Sequence, residues 1–69
     1  MNTKDIIAIR LRELRNSNKF TQQVISEKLD IAQTTYAGYE TGKHEPNADT
    51  LRKLAELYKT SVDYIIGRY

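Results

Sequence analysis

The sequence predicts an all-α fold, a compact orthogonal bundle of five short helices. Two observations predict it: apolar residues recur at three- and four-residue steps, and capping or helix-breaking residues separate these stretches at short intervals. Helices this short, joined by tight turns, favour an orthogonal bundle over an up-and-down bundle. Because residues 1–69 contain no repeat, linker or low-complexity segment, they are expected to form a single domain.

The first three helices are indicated by their apolar stripes and by their ends. One stripe predicts a helix over about residues 4–17, and polar turn residues end it. Thr21 is the expected N-cap of a second helix, which stops at Asp30. The β-branched and aromatic residues at 31–40 would permit a strand, but strict alternation is missing. This segment is therefore predicted to be a third short helix, closed by Gly42.

The last two helices follow from a proline and two capping residues. Pro46 forbids a helix through the polar loop at 43–46, and Asn47 can cap the helix that begins after it. Ser61 is expected to cap a last turn or two of helix, which Gly67 ends.

Composition excludes several classes of protein. Cysteine is absent and His44 is the single histidine, so no thiolate nucleophile, sulfur-ligated metal or two-histidine site can form. No apolar run approaches the ~18 residues of a membrane span, and no charged-then-apolar leader opens the chain. We therefore expect a soluble, cytoplasmic protein with no metal, cofactor, small-molecule ligand or membrane partner. An enzyme is disfavoured, because His44 has no catalytic partner evident in the sequence.

Positive charge is concentrated towards the N-terminus. Residues 1–19 carry five Lys or Arg against two Asp or Glu, a local net charge of +3. Residues 20–46 carry two against four, a local net charge of −2, and the whole chain has +2. We expect a bound polyanion to draw its positive contacts largely from the first segment.

The predicted second and third helices, with the short turn between them, form a helix-turn-helix unit over residues 21–42. At about 100° per residue, the third helix has two opposed faces. A face of polar and small residues contains Gln33, Thr34, Ala37 and Gly38, and the opposite face contains Thr35, Tyr36 and Tyr39. The first face suits the DNA major groove, since glutamine can pair with adenine and threonine offers a hydroxyl and a methyl group. Its four residues are the candidate base contacts, with ordinary surface residues as the alternative.

Several short stretches occur in order, without insertion, along residues 7–67. They are Leu11-Arg12-Glu13-Leu14-Arg15, Thr21-Gln22, Tyr39-Glu40-Thr41-Gly42-Lys43, Glu45-Pro46, Leu51-Arg52-Lys53-Leu54-Ala55 and Ser61-Val62-Asp63-Tyr64-Ile65-Ile66-Gly67. In this order they resemble the lambda-repressor-like helix-turn-helix family, also called the XRE family. The resemblance implies a five-helix fold that binds operator DNA, usually as a symmetric dimer.

The resemblance also implies roles for single residues. An ion pair between Arg15 and Glu40 is expected to join the first and third helices. Gln22 is expected to bind a DNA phosphate and to brace Gln33, the first residue of the third helix. The other candidate phosphate contacts are Thr41, Lys43 and His44, together with Arg10, which is chosen for its charge and has a solvated side chain as the alternative.

Four residues depart from the family pattern. Ser26 replaces alanine, and its hydroxyl is expected to bond back to a backbone carbonyl. Asp30 replaces a turn glycine and tolerates the left-handed conformation. Ala32 replaces a capping residue, which leaves the third helix poorly capped. Tyr36 replaces a smaller aliphatic residue, and we expect its ring in the core with its hydroxyl at the rim.

Apolar side chains near the C-terminus exceed what one inner stripe needs. Tyr64, Ile66 and Tyr69 either seal the edge of the bundle or form a homodimer interface through the last helix.

The predicted function is that of a sequence-specific, double-stranded DNA-binding transcriptional regulator, most simply a repressor. The alternative is an antitoxin-like or other protein-interaction module on the same fold.

Overall fold

Five helices and no strand are found in the computed structural model, which describes residues 1–68. The helices are α1 (Thr3–Ser17), α2 (Gln22–Leu29), α3 (Gln33–Thr41), α4 (Ala48–Tyr58) and α5 (Val62–Ile66). Helix α1 packs against α3 and α5, α2 packs against α3 and α4, and α4 packs against α5. The predicted all-α bundle is therefore confirmed. Within residues 1–68, no helix has the length and apolar character needed to cross a lipid bilayer.

Side-chain caps explain where four of the five helices begin. At each of these positions a side-chain oxygen accepts a hydrogen bond from the backbone N–H three residues later. The caps are Asn2 at 2.9 Å, Thr21 at 3.1 Å, Asn47 at 2.9 Å and Ser61 at 3.0 Å. Helix α3 is the exception, because Ala32 occupies the N-cap position and offers no side-chain acceptor. The prediction of a poorly capped third helix is confirmed.

Two of the residues that depart from the family pattern lie in or next to the turn between α2 and α3. Asp30 adopts the left-handed conformation, with φ 58° and ψ 47°, and ends α2. Ser26 is buried where α2 lies near this turn, and its Oγ donates to the carbonyl of Gln23 at 2.8 Å. Both expectations from the sequence are confirmed, and the turn keeps its tight geometry without a glycine.

The core takes side chains from all five helices. Its fully buried members are Ile7, Leu11, Ile25, Tyr36, Leu54 and Ile65. The prediction that the Tyr36 hydroxyl reaches the rim is wrong. Its oxygen instead lies 3.3 Å from the hydroxyl oxygen of Tyr58 inside the bundle, because Tyr58 supplies a buried polar partner. Burial raises the pKa of both tyrosines, so both hydroxyls stay neutral.

The missing cap of α3 predicts a stabilising substitution. Ala32→Ser supplies a side-chain acceptor for a backbone N–H in the first turn of α3, and we expect about 1 kcal/mol of added stability. In a domain of this size that gain raises the Tm by about 4–8 °C, measured by circular dichroism. The control is Ala48→Ser, at an exposed site on a helix that Asn47 already caps. An equal Tm change in the two variants would contradict the explanation.

Candidate nucleic-acid interface

The outward face of α3 begins with two polar side chains that have no partner in the fold. Gln33 and Thr34 are exposed, and their side chains form no hydrogen bond within residues 1–68. On the opposite side, Tyr36 and Tyr39 are buried, as the helical periodicity predicts. Thr35 was predicted on the inner face as well, but its side chain is only half-buried. The amide of Gln33 and the hydroxyl of Thr34 are thus available to a ligand.

An open groove lies between α3 and the loop that follows it. Its lining residues are Thr34, Thr35, Ala37, Gly38, Thr41, Lys43 and His44. The structure thereby brings three candidate base contacts onto the same surface as three candidate phosphate contacts. A neighbouring depression joins Lys43 and His44 to Lys4 at the start of α1, so a second lysine that was not predicted borders this surface.

Gly38 lies on this surface but is buried, because the imidazole of His44 covers it. A Cβ atom placed on Gly38 would overlap His44 Cδ2 and would lie 3.3 Å from both Cγ and Nε2 of the same ring. The absence of a side chain at Gly38 therefore lets the His44 ring lie directly on α3, a reason for the glycine that the sequence pattern did not reveal.

The inner end of α3 is fixed by the buried carboxylate of Glu40. This side chain is 2% exposed. Its Oε2 accepts from Arg15 Nε at 2.6 Å, and its Oε1 accepts from Arg15 Nη2 at 3.1 Å. Oε1 also accepts from Gln22 Nε2 at 3.1 Å. Arg15 and Glu40 therefore form a bidentate ion pair at the positions that the resemblance indicates, and Gln22 ties α2 to the same carboxylate.

Two features of this network differ from expectation. Gln22 braces Glu40, near the C-terminal end of α3, and not Gln33 at its start. Arg12 Nη1 donates to the backbone carbonyl of Glu40 at 2.5 Å, a role that sequence reasoning missed. The spacing of the two arginines could have indicated this role, because Arg12 and Arg15 stand three residues apart on one face of α1 and can reach the same neighbour.

The ion pair is charged in the folded protein. Burial by itself raises the pKa of Glu40, but hydrogen bonds from neighbours, foremost Arg15, outweigh burial and leave the pKa below its ordinary value. The same hydrogen bond raises the pKa of Arg15. Folding therefore favours the ionised carboxylate, and the pair contributes most to stability at neutral pH.

The structure does not bring Arg10 to the α3 groove. Its guanidinium carbon lies 4.5 Å from the centre of the Tyr64 ring on α5, and its Nη1 lies 3.7 Å from the Glu13 carboxylate. Arg12 and Arg15 are likewise engaged inside the fold. The expectation that the N-terminal segment supplies most of the positive contacts stays a prediction, and Lys4 is the member of that segment that borders the groove region. The lysines that border the groove region are Lys4 and Lys43.

Two of the three candidate dimer residues, Tyr64 and Ile66, lie on α5, at another edge of the bundle. Tyr64 is half-buried beside Arg10, and Ile66 packs partly against the core. Tyr69 lies outside the described residues. Met1 is 87% exposed and borders a surface pocket with Ile6, Ile9 and Arg10, which extends the apolar surface along α1.

Comparison with known proteins decides the family. A family model described as helix-turn-helix matches residues 11–65. The chain belongs to this family. The resemblance to the lambda-repressor-like, or XRE, helix-turn-helix proteins is thus confirmed, and the family is one of DNA-binding regulators and not of enzymes.

Several curated relatives are similar to this chain. The uncharacterized HTH-type transcriptional regulator YobD of Bacillus subtilis is 48% identical over 58 residues, covering 84% of this chain and 52% of that protein. The HTH-type transcriptional regulator AnsR of the same organism is 42% identical over 59 residues, with coverages of 86% and 51%. The cryptic phage CTXphi transcriptional repressor RstR of Vibrio cholerae is 32% identical over 60 residues, with coverages of 87% and 54%. The chain spans about half the length of these relatives. No solved structure matches it.

The Glu40 ion pair predicts acid-sensitive stability. Because the folded pKa of Glu40 is lowered, its contribution is fully present above the ordinary value of 4.5 and is lost as pH falls through the folded pKa. We expect Glu40→Gln to lose about 2 kcal/mol at pH 7 and to show a flatter decline in unfolding free energy below pH ~4.5. Urea unfolding between pH 7 and pH 3 measures both effects.

The matched control for that prediction is Glu56→Gln. Glu56 pairs with Arg52 at 3.3 Å on the surface of α4, with 68% of its side chain exposed. Because exposed pairs contribute little, this variant should follow the wild-type pH profile closely. If Glu40→Gln kept the full acid sensitivity of the wild type, the assignment of that sensitivity to Glu40 would be wrong.

Proposed function

We propose that this domain binds a specific double-stranded operator, with α3 in the major groove, and that it represses transcription as a symmetric dimer. The observation that carries the proposal is the division of α3. Its inner side is held by Tyr36, Tyr39 and Glu40, while Gln33 and Thr34 stand exposed with no internal partner. A helix held in this way can present a fixed set of polar groups to base edges.

Base readout is assigned to the first two turns of α3. The amide of Gln33 has one donor and one acceptor in the arrangement that pairs with adenine N6 and N7. The Thr34 hydroxyl can donate or accept one hydrogen bond, and its methyl group can contact thymine. Ala37 is half-buried in the groove lining and offers only a small apolar contact, so α3 can approach the bases closely.

Phosphate contacts are assigned to groups around the groove. Lys43 and Thr41 line it, and Lys4 lies in the adjoining depression. Gln22 keeps one amide proton that can donate to a phosphate, because a single bond from its amide nitrogen holds it to Glu40, and its carbonyl oxygen can accept from a water. These contacts would set the position of α3 on the duplex without reading its sequence.

Repression is supported by the name of a relative, and dimerisation is supported by an apolar patch on the surface. The relative RstR is named a phage transcriptional repressor, and repression by operator occupancy is the simplest activity for such a domain. The apolar surface formed by exposed Met1 and half-buried Ile6 and Ile9, with Tyr64 nearby across Arg10, suits a second copy of the chain. A two-fold dimer would place two α3 helices about 34 Å apart, on successive major grooves of a palindrome.

In-vitro selection from random duplexes tests the proposal. The wild-type chain should enrich one half-site, and Gln33→Ala should weaken binding to it by about 1–3 kcal/mol while relaxing the preference at one base pair. Gln23→Ala, on the exposed surface of α2, is the matched control and should leave that preference intact. The absence of any enriched sequence would refute operator recognition, and an equal loss on operator and random DNA would make Gln33 a phosphate contact.

The stoichiometry on DNA tests the dimer. We expect two chains per palindromic duplex with half-sites 10–10.5 base pairs apart, centre to centre, or about one helical turn. Tyr64→Ala should reduce the cooperativity of the second chain and leave the half-site sequence unchanged, because Tyr64 lies away from the α3 groove. Sedimentation with duplexes of one and two half-sites measures this. Equal affinity per chain for both duplexes would rule out a dimer.

A further inference from the structure

We infer that His44 is a specificity-determining residue whose imidazole takes the place of the side chain that Gly38 lacks on α3 and contacts a purine edge. This inference rests on the proposed function, since it assumes that α3 enters the major groove. It replaces the phosphate contact that the family resemblance implies for His44.

The starting observation is the position of the ring. Residue 38 lies one turn after Thr34 on the outward face of α3, where a side chain would point towards the bases. The space that its Cβ would need is filled by His44 Cδ2, with Cγ and Nε2 3.3 Å away. The imidazole therefore stands on the reading face of α3, although the residue belongs to the loop.

The backbone of the loop that carries the ring is held against α3. The carbonyl of Gly38 accepts from the backbone N–H of Lys43 at 2.9 Å and of His44 at 3.2 Å. The Thr41 hydroxyl donates to the same carbonyl at 3.2 Å. Gly42 adopts φ 77°, and Pro46 is buried at the far end of the loop. Backbone bonds at one end and burial at the other thus fix the segment that carries His44.

The chemistry of the ring suits base readout. His44 is exposed, and its side chain forms no hydrogen bond within the part of the chain that the structure describes. An imidazole N–H is a donor, and N7 of either purine is an acceptor on the major-groove edge, joined in guanine by O6. The ring lines the same groove as Thr34 and Thr41, whereas Lys43 and Lys4 border the adjoining depression as better phosphate ligands. A purine at the base pair next to the Thr34 contact is the expected target.

The first experiment compares selected sequences. Wild type, His44→Ala and Lys43→Ala are each taken through selection from random duplexes, and affinities are measured for every base at each operator position. His44→Ala should lower the discrimination for a purine about 5- to 10-fold at one base pair and leave the other positions unchanged. Lys43→Ala should weaken all sequences alike and reduce the salt dependence of binding by about one ion.

The second experiment tests the contact between the ring and Gly38. Gly38→Ala is made alone and in the His44→Ala background. Alanine favours the helix, so it should raise the Tm by about 4–8 °C once the ring is gone, and by clearly less while the ring occupies the space. Gly38→Ala alone should also lose the purine preference at the base pair affected by His44→Ala, since the added methyl displaces the ring.

The outcomes separate this inference from the proposed function. If the wild type selects no sequence, the proposed function fails and the inference fails with it. If the wild type selects an operator and His44→Ala weakens all sequences uniformly, His44 is a phosphate contact and only the inference is overturned. An unchanged preference in His44→Ala, or an equal Tm gain from Gly38→Ala in both backgrounds, overturns it as well.

Discussion

The fold of this domain depends on one buried carboxylate. Glu40 receives the guanidinium of Arg15 and the amide of Gln22 on its side chain, while Arg12 binds its backbone carbonyl. Groups from α1 and α2 thus converge on a single residue of α3. A charge this deeply buried is tolerable only because every oxygen is paired, and removing a partner would leave an unpaired charge in the core. The network therefore fixes the relative position of three helices more strictly than apolar packing alone would.

This constraint matters because α3 has little stability of its own. It spans nine residues, lacks a side-chain cap and contains a glycine and three threonines, so an isolated peptide of this sequence would not be helical in water. Its shape comes from Tyr36 and Tyr39 in the core and from the Glu40 network. Gln33 and Thr34 on the outer face make no contribution of this kind to the fold. They can therefore be substituted to suit a ligand without disturbing the inner face.

Local signals in the sequence predicted most of the fold. The caps at Thr21, Asn47 and Ser61 and the left-handed turn at Asp30 depend on residues within a few positions, so they could be identified without tertiary information. The two faces of α3 followed from helical periodicity in the same way. What could not be predicted depends on distant contacts. The burial of the Tyr36 hydroxyl needs Tyr58, and the covering of Gly38 needs the path of the loop that carries His44.

The positions of the positive charges also depend on distant contacts that the sequence does not reveal, and they affect how the domain would recognise DNA. Counting charges along the chain favours α1 as the anion-binding segment, yet its three arginines contact Tyr64, Glu13 and Glu40 within the fold. Around the α3 groove and the adjoining depression stand two lysines and Glu45, among amide, hydroxyl and imidazole groups. A surface with so few cations gains little from phosphate neutralisation, which is the sequence-independent part of DNA affinity. Under the proposed function, discrimination by such a surface would come largely from hydrogen bonds to base edges, and these would require the fixed placement of α3 that the Glu40 network supplies.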